Sequence, residues 1–162
     1  MEKIAIFPGS FDPFTIGHES VVRRALSLFD KIIIAIGVNK NKKEYFTLEA
    51  RMAAIESVFK NDENIIVDHY DDLTVDYCRK HKAKYILRGL RTAADFEYER
   101  AIAQANKAMD PEIESVFLLT VPEHTFINSS IVRDILLHGG DASLFLPKNL
   151  DLDTYKKGSL SF

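Results

Sequence analysis

A chain of 162 residues, 46% hydrophobic and 28% charged, is long enough for one core, which predicts a single soluble domain over residues 1–162. It has no run of about 18 apolar residues, its first ten residues lack the layout of a signal peptide, and its one cysteine, Cys78, excludes an intramolecular disulfide and a cysteine-cluster zinc site. The net charge of −3 argues against nucleic acid held by bulk positive charge, so the expectation is a cytoplasmic protein with neither membrane nor nucleic acid as partner.

The first strand is expected at Lys3–Phe7, closed by Pro8-Gly9-Ser10, with a loop over Phe11–Ile16. Gly17–Phe29 carries apolar residues at helical spacing. Lys31–Val38 is a near-continuous apolar run, the pattern of a strand covered on both faces. After a polar loop, Asn39–Phe46, Thr47 caps a helix running to about Phe59, with Glu49 in its first turn. Asn64–His69 reads as a strand, Leu73–Lys80 as a short helix, and Lys84–Arg88 as a strand ended by Gly89. Thr92 caps a long helix to about Met109, and Glu114–Thr120 is the next strand. Asn128 or Ser129 caps a helix to about His138, stopped by Gly139-Gly140. Phe145-Leu146-Pro147 precedes a last short helical piece, and Lys156–Phe162 reads as a frayed tail. Strands and helices thus alternate about five times, which predicts an α/β fold: a doubly wound, mainly parallel five-stranded sheet with helices on both faces. Ligands of such sheets bind beyond the carboxyl ends of the strands, where strand order reverses.

The unusual residues gather in those loops. Ser10, Asp12, Thr15, Gly17 and His18 follow strand one; Lys40, Lys42 and Lys43 follow strand two; Asp71, Asp72 and Thr74 follow strand three. Arg88-Gly89-Leu90-Arg91 ends strand four, and His124–Ser130 with Arg133 follows strand five. Cations clustered on one rim of an acidic chain, beside helix N-termini, suit a polyanionic, phosphate-bearing ligand. Neither a G-x-G-x-x-G fingerprint after strand one nor a P-loop occurs. His18, on the first turn of its helix, fits either an inert helix-end histidine or a donor to a phosphate oxygen as charge develops. Arg88 ends an apolar strand, where an unpaired guanidinium is costly. It either forks with Arg91 onto phosphate or pairs with Asp95 or Glu99. Gly9 and Gly17 also fit plain turns, the lysines a solvated loop, Thr74 a solvated helix start, Ser129 and Ser130 helix caps, and Glu99 and Arg133 helix surface. Asp12 suits an Asx turn and Cys78 a core thiol. There is no Ser-His-Asp order and no metal-ligand cluster.

Phe7-Pro8-Gly9-Ser10-Phe11-Asp12-Pro13 followed by Thr15-x-Gly17-His18 resembles the T/H-x-G-H signature of the nucleotidyltransferase superfamily, and Asn128-Ser129-Ser130-x-x-Arg133 resembles its second signature. Arg88–Arg91 with Asp95–Glu99, and Phe46–Glu49, is more specific and is similar to the bacterial phosphopantetheine adenylyltransferase family, over Lys3 to about Pro147. The resemblance implies a Rossmann-like fold and adenylyl transfer from ATP to 4′-phosphopantetheine, giving dephospho-coenzyme A and pyrophosphate. It implies that Ser10, Lys42, Thr74 and Arg88 hold the acceptor. ATP falls to Ser10, Phe11, His18, Gly89, Leu90, Arg91, Glu99 and the segment His124, Thr125, Phe126, Ile127, Asn128, Ser129 and Ser130. It implies catalytic roles for His18, Lys42 and Arg91, Mg²⁺ accompanying ATP, a homohexamer, and coenzyme A as feedback inhibitor. Three positions depart from the pattern: Ser10 stands where many members have Thr, His124 where some have Trp, and Asn128 replaces the first Ser of a triplet. Two other readings share part of this pattern: a nucleotidyltransferase acting on another phosphorylated acceptor, such as nicotinate mononucleotide, and a non-catalytic nucleotide sensor. The expected chemistry is in-line positioning and charge neutralisation at the α-phosphate, without a covalent enzyme intermediate.

Overall fold

The structure, a computed structural model, describes residues 1–150 and Tyr155; the expected tail Lys156–Phe162 and most of the helical piece after Pro147 lie outside the described residues. In chain order the elements are β1 (Ile4–Gly9), α1 (Ile16–Ala25), β2 (Lys31–Gly37), α2 (Leu48–Val58), β3 (Ile65–Tyr70), α3 (Thr74–Lys80), β4 (Tyr85–Leu90), α4 (Ala93–Met109), β5 (Glu114–Leu119) and α5 (Ser129–Leu137), with a 3₁₀ turn at Pro122–His124. The sheet has five strands in the order β3-β2-β1-β4-β5, and every pairing is parallel. Strand order therefore reverses between β1 and β4.

Alternation along the strands explains the apolar runs. Ala5, Phe7, Ile32, Ile34, Ile36 and Leu87 pack on one face against Val21, Val22 and Ala25 of α1 and Ala54, Ile55 and Val58 of α2. Ile6, Ile33, Ala35 and Ile86 turn to the other face, against Val75, Tyr77 and Cys78 of α3. Burial pushes the Cys78 thiol up to about 12, with Asp110 adding to the effect, so it is an inert core group as expected. A third, smaller cluster seats α5 through Val132 with Ala142 and Leu146.

Most differences from the sequence reading are of one or two residues at element ends; the one at the end of β1 shapes the site, and only the one at the end of α1 is larger. β1, expected to stop at Phe7, runs through Pro8 and Gly9, paired with Ala35 and Ile36 of β2. Proline is admitted there because its other neighbour has already departed: β1 pairs with β4 only at Ala5↔Tyr85 and Ile6↔Ile86. A wedge thus opens between the carboxyl ends of the two central strands. The helix expected over Gly17–Phe29 ends at Ala25, followed by tight turns over Leu26–Leu28. Phe29 instead packs on Tyr85, and Asp30 binds back to the amide of Lys3, which starts β2 beside β1.

Candidate active site

The loop after β1 is shaped by aromatic packing. Phe11 holds a left-handed backbone, φ 49°, with its ring buried against Phe7, Phe14 and His18. A Cβ at Gly9 would stand 2.8 Å from that ring, so only glycine lets the strand end pass over it. Phe11 therefore offers a ligand its backbone, while its side chain is core. Thr15 then caps α1 in a reciprocal box: its hydroxyl accepts from the His18 amide, and its own amide donates to Nδ1 of His18 at 3.0 Å. An amide is always a donor, so Nδ1 is the acceptor nitrogen and a neutral imidazole carries its proton on Nε2. Burial first, then the charges of Arg88 and Arg91, lower the His18 pKa to about 3. The side chain is thus a neutral donor through Nε2 at physiological pH.

The loop after β2 is stitched to this one. Both carboxylate oxygens of buried Asp12 accept from the amides of Tyr45 and Phe46, at 2.8 and 2.9 Å. Arg51 of α2, 2% exposed, donates to the Ser10 carbonyl at 2.8 Å and to Glu44. These ties hold Lys42 over the strand end, where its ammonium lies 3.3 Å from the Ser10 hydroxyl. Arg51 is a buried tie behind the site that sequence reasoning misses. Arginine inside a helix gives no local sign that its partner lies 41 residues away in the chain.

At the end of β4, alternation turns Arg88 to the α3–α4 face and Gly89 to the α1 face, where a Cβ would stand 3.0 Å from Val21. Arg88 donates through Nε and Nη2 to both oxygens of Glu99, at 2.9 and 2.7 Å, and through Nη1 to the Pro8 carbonyl inside the wedge. Of the two partners considered for it, Glu99 is the one found. Asp95 accepts instead from the Arg91 amide at 3.0 Å. Leu90, expected at ATP, is buried and lines neither cavity, and its carbonyl accepts from the Thr120 amide at 2.8 Å.

Beyond β5, the 3₁₀ turn brings His124 to the mouth of α1, with a buried Nδ1 that lacks a protein partner, the kind of atom a ligand's polar group satisfies. Thr125 and Phe126 are exposed and stand outside the wall; Phe126 packs edge-on against Phe145. Ile127 is buried, and the Asn128 side chain caps α5 by accepting from the Ile131 amide at 2.8 Å. The departure from serine at 128 thus supplies the cap. Ser129 donates to the Pro13 carbonyl at 2.9 Å, and Arg133 donates to the Asp12 carbonyl at 2.8 Å and to Ser130. Arg133, for which the sequence allows either surface or site, ties α5 to the β1 loop.

These loops enclose two cavities. One, of about 420 Å³ on the α1–α5 side, is lined by Ser10, Phe11, His18, Lys42, Arg88, Gly89, Arg91, His124 and Ile127–Ser130. The other, of about 330 Å³ on the α3–α4 side, is lined by Tyr70, Thr74, Tyr98, Glu99, Ile102 and Asn106. Pro8, Gly9, Ser10 and Arg88 belong to both, so the two cavities meet at the wedge between β1 and β4. Thr74 therefore shares a cavity with Arg88 and Ser10 but not with His18, its hydroxyl 2.9 Å from that of Tyr70. Cations and a neutral imidazole donor converge in the first cavity, while the second is a mixed apolar and hydroxyl-bearing slot. Such a pair suits a polyphosphate meeting a second, longer molecule at a shared phosphate position.

Known proteins share this chain's sequence pattern and fold. Residues 6–135 match the cytidylyltransferase-like family. The chain is 54% identical over 143 residues to the phosphopantetheine adenylyltransferase of Flavobacterium johnsoniae, covering 88% of this chain and 93% of that one. It is 50% identical over 147 residues to that of Cytophaga hutchinsonii, covering 91% and 98%. Among solved structures, the bifunctional NMN adenylyltransferase/ADP ribose pyrophosphatase of Francisella tularensis shares the fold, with a TM-score of 0.69 at 22% identity over 92% of this chain and 45% of that one. The chain belongs to the phosphopantetheine adenylyltransferase family, within the cytidylyltransferase-like nucleotidyltransferases.

Proposed function

We propose that this chain transfers the adenylyl group of ATP to 4′-phosphopantetheine, giving dephospho-coenzyme A and pyrophosphate. The observation that carries the reading is that two cavities meet at Ser10 and Arg88, with His18 and Lys42 on one side and Thr74 on the other. ATP occupies the first cavity, its adenosine toward His124 and the start of α5, its phosphates toward His18, Lys42 and Arg91. The pantetheine arm lies along the second cavity and presents its phosphate at Arg88. An oxygen of that phosphate attacks the α-phosphorus in line, the bond to the bridging oxygen breaks, and pyrophosphate leaves. The attacking oxygen is already anionic, so no general base is required. His18 donates from Nε2 to an α-phosphate oxygen, and Lys42 and Arg91 offset the charge spreading toward the leaving group.

Among the described residues no cluster of acids, histidines or cysteines suits a metal ion. Asp12, a carboxylate lining the first cavity, already accepts two amides. The cleft residues do not fit a resident Mg²⁺ cage, so Mg²⁺ belongs to the reaction as the counter-ion of substrate ATP. Among the described residues no helix is long and apolar enough to cross a membrane. A cytoplasmic location, a homohexamer and feedback by coenzyme A complete the proposal on the strength of the family resemblance.

A coupled pyrophosphate assay tests the reaction. Release is expected with ATP plus 4′-phosphopantetheine and not with nicotinate mononucleotide; the reverse preference would overturn the acceptor. His18→Ala should lower turnover roughly 10²–10³-fold, the usual cost of one transition-state donor. Near-normal turnover in that variant would remove His18 from the mechanism.

A further inference from the structure

We infer that Glu99 is a positioning residue that sets the plane of the Arg88 guanidinium for the acceptor phosphate. The inference rests on the reaction proposed above. α4 is a mostly exposed helix, and Glu99 is one of its two buried residues. A carboxylate at 9% exposure requires a charged partner, and both its oxygens accept from the side edge of Arg88, at 2.9 and 2.7 Å. The third contact of that guanidinium is the Pro8 carbonyl. This carbonyl lies in the wedge because the β1–β4 ladder ends two residues earlier, at Ile6. Arginine has five N–H donors, and these contacts use three of them, so two remain, on Nη1 and Nη2. Contacts on two sides fix the plane of the fork, and Arg88 lines both cavities.

The family resemblance allots Glu99 to ATP, but the geometry points to the acceptor. Glu99 lines the second cavity and not the first, and its oxygens are committed to Arg88. Glu99 therefore acts through Arg88. Losing its charge frees a long, flexible cation in place of a fixed fork, and the penalty falls on binding of the phosphorylated acceptor.

The test follows pyrophosphate release with either substrate varied, in wild type, Glu99→Gln, Glu99→Asp, Arg88→Ala and the Arg88→Ala/Glu99→Gln double variant, with melting temperature as a check on folding. Glu99→Gln should raise the acceptor KM roughly tenfold, the scale of one charge-assisted hydrogen bond, and leave the ATP KM nearly unchanged. Glu99→Asp, which keeps the charge on a shorter stem, should fall between Gln and wild type. In the Arg88→Ala background the Gln substitution should add nothing further. A rise in the ATP KM instead, or effects that multiply in the double variant, would overturn the inference. Absence of release by wild type when the acceptor is 4′-phosphopantetheine is a separate outcome: it defeats the proposed reaction and this inference with it.

Discussion

His18 carries two duties on one ring. Nδ1 closes the capping box of α1 by accepting the Thr15 amide, which leaves Nε2 to bear the proton. Nitrogen NMR of the imidazole should show an acceptor-type Nδ1 and a protonated Nε2 from pH 5 to 8; a protonated Nδ1 in that range would contradict the assignment. The same pKa has a stability consequence. The folded value, about 3, lies below the ordinary histidine value of 6.5, so between them the unfolded chain binds the proton that the folded chain refuses. The contribution of His18 should leave stability unchanged above pH 6.5 and reduce it as pH falls from there toward 3. His18→Gln should flatten that part of the stability profile in urea titrations. Arg51 is the other residue whose duty follows from contacts alone. Its loss strips donors from the Ser10 carbonyl, from Thr47 and from Glu44. Arg51→Ala should cost on the order of 1–3 kcal/mol by urea unfolding and loosen the Lys42 loop, lowering turnover with it.

α1 shows how a helix end becomes part of a site. Thr15 supplies the cap and His18 the third helical residue, so the geometry that stops the amides from going unpaired also aims the imidazole. Thr15→Ala should destabilise the protein by about 1 kcal/mol and also reduce turnover. A threonine cap elsewhere, Thr47 on α2, whose hydroxyl accepts the Ala50 amide, gives the control. Thr47→Ala should cost similar stability with a smaller loss of turnover; equal losses would show that capping of α1 does nothing special for His18. β4 works by alternation: Arg88 and Gly89 are adjacent in sequence yet serve opposite faces, the first toward α4 and the second close against Val21 of α1. Gly89→Ala should push α1 away from the sheet and cost about 1–3 kcal/mol, the range for overpacking.

Across the whole molecule, the reversal of strand order turns five loops into one site. β1 and β4 part after Ile6, and at their parted ends a cavity above one face meets a cavity above the other. The proposed hexamer should appear as a species of six chain masses in sedimentation; a monomer at assay concentration would refute it. Much of this architecture is legible from local patterns. The apolar run of β2, the caps at Thr47, Thr92 and Asn128, and the strand–helix alternation are properties of residues close in the chain, where hydrogen bonds and side-chain periodicity act over a few positions. These suffice for a parallel α/β sheet and for the loops that hold the site. What they do not contain is the identity of neighbours. Pro8 belongs to a strand because β4 has turned away, Arg88 is clasped because α4 crosses beneath it, and Arg51 is buried because the β1 loop lies over α2. Each depends on a contact between segments far apart in the chain, and such contacts exist only once the core has packed.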